Sequence, residues 1–153
     1  MKGSELRLIE YMEGSKKRFI IPVYQRNYDW KIENCKQLYD DLIQVIKNNS
    51  KTHFFGSIVS VYEPSGRNTE FLIIDGQQRL TTMSLLFLAL YNLLEEKIII
   101  SEDESLKDQI YEDFLVDKYQ PQEKRMKLKP IKNDQKAFSK LFNSKDDYIK
   151  DSN

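Results

Sequence analysis

The sequence predicts an α+β fold in which a small mixed sheet carries packed helices. Two β-rich stretches lie at residues 53–63 and 71–74, and apolar residues recur at helical spacing in residues 30–47 and 80–95. The chain has 153 residues, which is enough for one hydrophobic core and too few for two comfortable domains. We therefore expect a single domain over residues 1–153.

The first third of the chain is predicted to hold a helix, a strand and a second helix. The first helix covers residues 4–12, and a strand follows at residues 19–21, which Pro22 ends or confines to a sheet edge. Asp29 can cap the second helix, over residues 30–47. The side chains expected to face inward are Leu6, Ile9 and Tyr11 in the first helix, and Cys35, Leu38, Leu42, Val45 and Ile46 in the second.

Strands at about residues 54–62 and 70–74 are predicted to pair antiparallel. Both are rich in β-branched and aromatic residues, and the Pro-Ser-Gly sequence at 64–66 supplies a turn between them. The continuous apolar run at 71–74 is typical of a strand that is buried on both faces. The pairing would deliver residues 75–79 to the end of the sheet.

A helix over residues 80–95 is predicted to lie in the core, because its apolar residues lie almost all round it. Thr81 or Thr82 can cap its start. Residues 98–100 are expected to form a further strand or a helix tail, and residues 106–115 another helix.

Basic and apolar residues alternate over residues 125–131, which predicts a strand. The basic run at 124–132 is more typical of a solvated edge than of a nucleic-acid patch, although both readings stay open. Asn133 or Asp134 can cap a last helix. Its inward residues are expected to be Ala137, Phe138, Leu141 and Phe142.

Composition excludes several classes of protein. Lysine plus arginine and aspartate plus glutamate number 24 each, so the chain lacks the overall basic excess of a protein that grips long DNA. Cys35 and His53 are the only cysteine and histidine, which argues against a Cys/His zinc site or a histidine-dependent nucleophilic site. No apolar run is long enough to span a membrane, and no signal peptide is evident, so a cytoplasmic location is expected.

The chemistry is expected at the junction between the strand at 71–74 and the helix that follows it. Gly76 permits positive φ, and Asp75 can support the turn or face a cation. Gln77 and Gln78 follow, and Arg79 supplies a forked donor that matches phosphate oxygens beside the positive end of a helix. Phosphate is therefore the first ligand to test, although the same five residues also fit a purely structural turn. No Walker loop occurs in the chain.

A second polar stretch follows the first strand. Tyr24, Gln25 and Arg26 place an aromatic ring, an amide and a cation side by side, as in a wall that faces a ligand. The alternative is that Tyr24 and Tyr28 pack in the core and Arg26 forms an ordinary salt bridge.

Three ordered segments of the sequence resemble one protein family. They are IPVYQRNYDW (residues 21–30), HFFGSIV (53–59) and IIDGQQRLTT (73–82). Together they resemble the N-terminal domain of the DGQQR-motif family, which includes the GmrSD-type modification-dependent restriction endonucleases. The remainder of the chain agrees with this family only in general character.

The resemblance implies a ParB/sulfiredoxin-like fold, in which a glycine-x-x-arginine turn at a helix start binds nucleotide phosphates. That pattern falls on Gly76 and Arg79. The implied ligand is a nucleoside triphosphate (NTP) with Mg²⁺. The implied nucleotide-binding residues are Gly76, Arg79, Tyr24, Gln25 and Arg26, and the implied catalytic residues are Asp75, Gln77, Gln78 and Arg79, with Asp75 also facing the metal.

Family members continue into a C-terminal domain that resembles HNH nucleases. Such a site needs several histidines or carboxylates around a metal, and no histidine follows His53. We therefore expect an N-terminal fragment or a truncated product without a nuclease site. DNA and an HNH-like nuclease domain are the implied macromolecular partners, no membrane partner is expected, and homodimerisation stays open.

Two functional classes follow from the resemblance. The first is a sensor domain that hydrolyses GTP, ATP or CTP within a phage-defence protein that restricts modified DNA. The second is a ParB-like module whose grip on DNA or on a partner is switched by a nucleotide without hydrolysis. In a third, weaker alternative the motif is structural and the chain is an interaction domain.

Overall fold

The computed structural model of the chain describes residues 6–49 and 56–143. The start of the first predicted helix, His53 with the two phenylalanines that follow it, and the polar C-terminal stretch lie outside these residues. The helices are α1 (Leu8–Met12), α2 (Ile32–Lys47), α3 (Gln77–Glu95), α4 (Leu106–Ile110) and α5 (Lys132–Asn143), and the strands are β1 (Lys17–Ile20), β2 (Val59–Ser65), β3 (Asn68–Asp75) and β4 (Leu128–Lys129).

The described strands form one four-stranded mixed sheet in the order β2-β3-β1-β4. Strand β1 runs parallel to β3 and to β4, while β2 and β3 pair antiparallel. The predicted α+β class with a small mixed sheet and packed helices is therefore confirmed. The ParB/sulfiredoxin-like assignment stays a prediction.

The predicted antiparallel pair is present, with its turn at Gly66. Val59 lies opposite Asp75 at one end of the ladder and Ser65 opposite Asn68 at the other. The expectation that β3 is buried on both faces is wrong. Ile73 is fully buried, but its neighbour Ile74 is 37% exposed, because successive side chains point to opposite faces and the second face is only partly covered.

The main core lies between the sheet and α3, where Leu80 and Met83 pack with Phe19 and Ile73. Helix α3 begins at Gln77 rather than at Leu80, so the predicted caps are wrong: Thr81 and Thr82 are buried inside the helix. A second core cluster joins α3 to α4 and the π-helical turn Tyr111–Leu115, which together confirm the predicted helix at 106–115.

Three expectations for α1 and α2 are wrong in detail. Leu6 and Ile9 are 58% and 53% exposed, and the inward side of α1 is formed instead by Met12 and by Tyr11, which packs on Phe19. Asp29 does not cap α2, which begins after Lys31. Ile46 of α2, which was predicted to face inward, is 72% exposed.

The C-terminal third departs most from the sequence pattern. Residues 98–100 are neither strand nor helix. The predicted strand at 125–131 is reduced to β4, which Pro130 ends, and Lys127 is buried rather than solvated. Helix α5 begins at Lys132, so Asn133 and Asp134 lie in its first turn and do not cap it.

Phe138 is buried in α5 as predicted, whereas Ala137 is exposed.

Among residues 6–49 and 56–143, no helix is both long and apolar enough to cross a membrane.

Candidate functional site

The junction between β3 and α3 is a tight turn that only glycine fits. Gly76 has φ +91°, in the left-handed region that other residues avoid. A Cβ atom here would lie 2.9 Å from the carbonyl oxygen of Ser57 and 3.0 Å from the side chain of Ile58. The first bond within the helix joins the Leu80 N–H to the Gly76 oxygen at 3.1 Å. The backbone N–H groups of the first turn therefore have no acceptor within α3.

Arg79 lies on the β2 side of this turn. Its Nη1 donates to the carbonyl oxygen of Ser57 at 3.0 Å. Gly56 makes room for it: Gly56 has φ +100°, and a Cβ there would lie 2.7 Å from Cζ of Arg79. The guanidinium thus rests on a backbone that has no side chain at the point of contact.

Gln78 points to another side of α3 and holds the loop before α2. Its Oε1 accepts the N–H of Asp29 at 3.0 Å, and its Nε2 donates to the carbonyl oxygen of Asn27 at 3.0 Å. Both ends of the amide are used on one segment of backbone. Gln78 is therefore a two-point clamp on this loop. Asp29 does not act as the predicted cap of α2, because the cap position is taken by Lys31, two residues later.

Gln77 is buried but makes no hydrogen bond to another described side chain. It is 8% exposed, and Thr81, one turn further along α3, is 4% exposed and likewise has no side-chain partner among the described residues. Both line the same cavity. No fully buried side-chain nitrogen or oxygen of the described residues lacks a hydrogen-bond partner, so the unpaired amide of Gln77 is reached by solvent although most of the residue is buried.

The cavity has a volume of about 150 Å³ and lies between α3, the loop after β1 and α5. Most of its lining is aliphatic or aromatic, with a guanidinium, a carboxylate, two amides and a hydroxyl among the polar groups. The lining residues are Ile21, Arg26, Tyr28, Gln77, Gln78, Thr81, Leu85, Pro130, Ile131, Asp134, Ala137, Phe138 and Leu141.

Tyr28 connects the walls of this cavity. Its backbone N–H donates to Oδ2 of Asp134 at 2.8 Å, and its hydroxyl lies 2.9 Å from Oγ1 of Thr82 and 3.2 Å from Sγ of Cys35. The Thr82 hydroxyl donates its proton to the backbone carbonyl oxygen of Gln78, so Tyr28 is the donor to Thr82. Burial, with the hydrogen bond to Cys35, raises the pKa of Tyr28 to about 12, so its hydroxyl keeps the proton that it donates.

The other predicted site residues lie nearer the surface. Asp75 ends β3 and is exposed, and Tyr24 is 69% exposed. Gln25 donates from Nε2 to the carbonyl oxygen of Ile74 at 2.9 Å, which attaches the loop after β1 to the end of β3. The structure thus places Gly76, Arg79 and Asp75 at the β3–α3 junction.

Arg26 belongs to the cavity side together with Gln77 and Gln78. It pairs with Asp29 at 3.8 Å, and the two side chains are 68% and 58% exposed. An ion pair this long and exposed contributes little stability, so Arg26 can turn to another anion at small cost.

Residues 8–153 match the family model described as GmrSD restriction endonuclease, N-terminal domain. The chain belongs to this family. No curated protein matches it. The matched residues include the whole β3–α3 junction and the cavity beside it, and the resemblance stated from the three sequence segments is confirmed.

Sequence reasoning missed two groups of this GmrSD N-terminal domain. Asp134 was expected only as a helix cap, yet its carboxylate holds Tyr28 and lines the cavity. Gly56 was given no role in the site, yet its backbone forms the surface on which the Arg79 guanidinium lies. The glycine in HFFGSIV was a usable signal, whereas nothing local to Asp134 indicates a partner 106 residues away.

Proposed function

We propose that this GmrSD N-terminal domain binds an NTP with Mg²⁺ at the start of α3 and hydrolyses it, as the sensor module of a phage-defence protein that restricts modified DNA. One observation carries the proposal: the left-handed Gly76 opens the first turn of α3 beside the Arg79 guanidinium. Family membership supports the wider role in restriction.

Phosphate binding follows from the groups at this junction. The uncompensated N–H groups of the first helical turn and the positive end of the α3 dipole attract an anion. Arg79 adds a planar set of donors that matches phosphate oxygens, and within the described residues only its Nη1 forms a hydrogen bond, to the Ser57 oxygen. Arg26 can leave its long contact with Asp29 to neutralise further negative charge.

Hydrolysis needs a metal ion and an oriented water molecule as well. Asp75 is exposed at the end of β3, where it can bind Mg²⁺, which proteins usually hold through one or two carboxylates together with substrate phosphates. In the described residues no group of three or more His, Cys, Asp or Glu side chains is arranged for a metal. Gln78 already uses both ends of its amide on the loop at residues 27–29, so it has no group left to orient water.

The Gln78 clamp favours a second candidate function. Because Gln78 joins the first turn of α3 to the loop at residues 27–29, a nucleotide at this turn would act on that loop directly. This arrangement suits a module that changes its grip on DNA or on a partner when nucleotide binds, without hydrolysis.

The test is calorimetric titration of GTP, ATP, CTP and UTP with Mg²⁺ into the wild type and into Arg79→Ala. Loss of a charge-assisted contact predicts binding weaker by roughly 10- to 150-fold. Arg67→Ala, at the exposed turn between β2 and β3, is the matched control and should bind as the wild type does. Thermal melts establish that each variant is folded.

Asp75→Asn then separates hydrolysis from binding. If Asp75 binds the metal during turnover, steady phosphate release falls far more than nucleotide affinity. Nucleotide binding without phosphate release by the wild type supports the switch module instead. A folded wild type that binds none of the four nucleotides refutes both candidates and leaves an interaction domain with a structural motif.

A further inference from the structure

The cavity beside α3 combines an apolar lining with polar groups that the protein leaves unpaired. Gln77 is more than nine-tenths buried, lines the cavity and has no side-chain hydrogen bond within the described residues. Thr81, one helical turn later, also lines the cavity, and its hydroxyl likewise has no hydrogen bond within the described residues. Asp134 uses Oδ2 to hold the Tyr28 N–H, which leaves Oδ1 without a hydrogen bond to the described residues.

The volume limits what the cavity can accept. A site of about 150 Å³ lined by aliphatic and aromatic side chains is large enough for one aromatic ring, as benzene in an engineered cavity of this size shows. Pockets that enclose whole drug-sized ligands are larger, about 300 Å³ or more. A complete nucleotide is therefore too large for the cavity, whereas a ring alone fits.

We propose that the cavity receives the heterocyclic base of the bound nucleotide, while the phosphates lie at the start of α3. This assignment rests on the proposed function. The base and the phosphates would then occupy two adjacent sites. Gln77, the first residue of α3, lines the cavity, and the same helical turn provides the N–H groups for the phosphates.

The charged side chains indicate which end of the nucleotide enters the cavity. Asp134 puts a carboxylate in the cavity wall, which repels phosphate but accepts a hydrogen bond from a ring or amino N–H. The Gln77 amide offers a donor and an acceptor, and the edge of every nucleobase presents such groups side by side. Phe138 and Ile131 supply apolar surface for the ring. Arg26 also lines the cavity, and its side chain is 68% exposed, so it is the cation of the lining that an incoming phosphate can reach from solvent.

Inorganic triphosphate separates the two halves of this ligand, because it has phosphates and no base. The nucleotide is whichever of GTP, ATP, CTP and UTP binds the wild type most tightly. Ala137→Phe places a benzyl group in the cavity wall and should weaken nucleotide binding at least tenfold without changing the affinity for triphosphate. Ala89→Phe is the matched control, because Ala89 lies on the exposed side of α3 and does not line the cavity.

Gln77→Met provides a second variant that keeps the size of the side chain and removes its hydrogen bonds. Loss of one or two neutral hydrogen bonds predicts nucleotide affinity lower by roughly 2- to 12-fold, again with unchanged triphosphate affinity. Thermal melts of both variants confirm that they are folded.

The outcomes distinguish this inference from the proposed function. If Ala137→Phe and Gln77→Met bind nucleotide as the wild type does, while Arg79→Ala loses it, the base lies elsewhere and the phosphate site stands. If the cavity variants lose nucleotide and triphosphate equally, the cavity does not receive the base. If the folded wild type binds neither ligand, the proposed function fails and the base assignment fails with it.

Discussion

Lys127 and Gln77 are both buried polar residues, but they differ in whether the protein supplies hydrogen-bond partners for their side chains. Lys127, only 1% exposed, donates from Nζ to the carbonyl oxygens of Met12 and Gly14, each at 2.6 Å, and to that of Asp113. Gln77, 8% exposed, has no such partner among the described residues and faces a cavity. A buried group whose every donor is satisfied holds the fold together, whereas one left unpaired beside a cavity is available to a ligand.

The three carbonyls around Lys127 match the three N–H bonds of an ammonium group. Burial lowers the pKa of Lys127 to about 8, with a contribution from nearby Lys17, while Asp113 and Asp117 act in the opposite direction. At pH 7 the side chain therefore remains mostly protonated. Lys127 joins the end of α1 to the π-helical turn and to the strand region before β4.

The largest expected effect is that of Lys127→Met on stability. The change leaves three carbonyl oxygens without their donor, one of them buried and two part-buried, and a buried, unsatisfied acceptor costs about 1–3 kcal/mol. We expect the free energy of unfolding to fall by about 3 kcal/mol or more, measured by urea denaturation. Lys129→Met, two residues along at an exposed position, should change it by less than about 0.5 kcal/mol. Equal effects of the two changes would show that the Lys127 contacts contribute nothing.

A smaller effect is expected from the two adjacent glutamines of α3. Gln78→Met deprives the Asp29 N–H and the Asn27 oxygen of their partners, so we expect a loss of about 1–2 kcal/mol. Gln77→Met removes no hydrogen bond between described residues, so the free energy of unfolding should stay within about 0.5 kcal/mol of the wild type. Denaturation in the absence of nucleotide makes the comparison. A destabilised Gln77→Met with a stable Gln78→Met would reverse the roles assigned to them.

Lys127 also contributes a pH dependence to the stability of the fold. Its pKa is about 8 in the folded state and near the ordinary value of 10.5 when the chain unfolds. Between these values the unfolded chain binds more protons, so the contribution of Lys127 to stability rises with pH, by at most about 1.4 kcal/mol per pH unit. Urea denaturation at pH 7.5, 8.5 and 9.5 measures the slope.

Lys127→Met is the control for that slope, because it removes the titrating amine. The difference in stability between the wild type and this variant should grow as pH rises. A difference that stays constant over this range would mean that the folded state does not lower the pKa of Lys127.

Local patterns predicted those parts of the fold that local forces decide. The antiparallel pairing of β2 with β3 follows from two β-rich runs joined by a short turn, and the apolar helix that follows them is the centre of the core. Helix starts were less predictable. Gly76 took the role that Thr81 or Thr82 was expected to play, because its left-handed conformation lets the chain turn directly from β3 into α3.

Contacts between distant segments could not be read from the chain. The alternation of basic residues at 125–131 favours a solvated strand, and only tertiary structure brings carbonyl acceptors to Lys127. The motif DGQQR likewise gave no sign that Gln77 and Gln78 differ. Their separation follows from the 100° between successive helical residues and from the loop that happens to lie against one of them.

Tyr28 connects two helices of this domain through hydrogen bonds. Its hydroxyl is bonded to Thr82 on α3 and its backbone to Asp134 on α5, while Gln78 holds the residues on either side of it. A hydrogen bond weakens steeply once its atoms separate by a few tenths of an ångström, so neither helix can shift alone without straining these hydrogen bonds. A displacement of the first turn of α3 would therefore strain hydrogen bonds that reach α5 through Tyr28, in addition to the packing between the two helices.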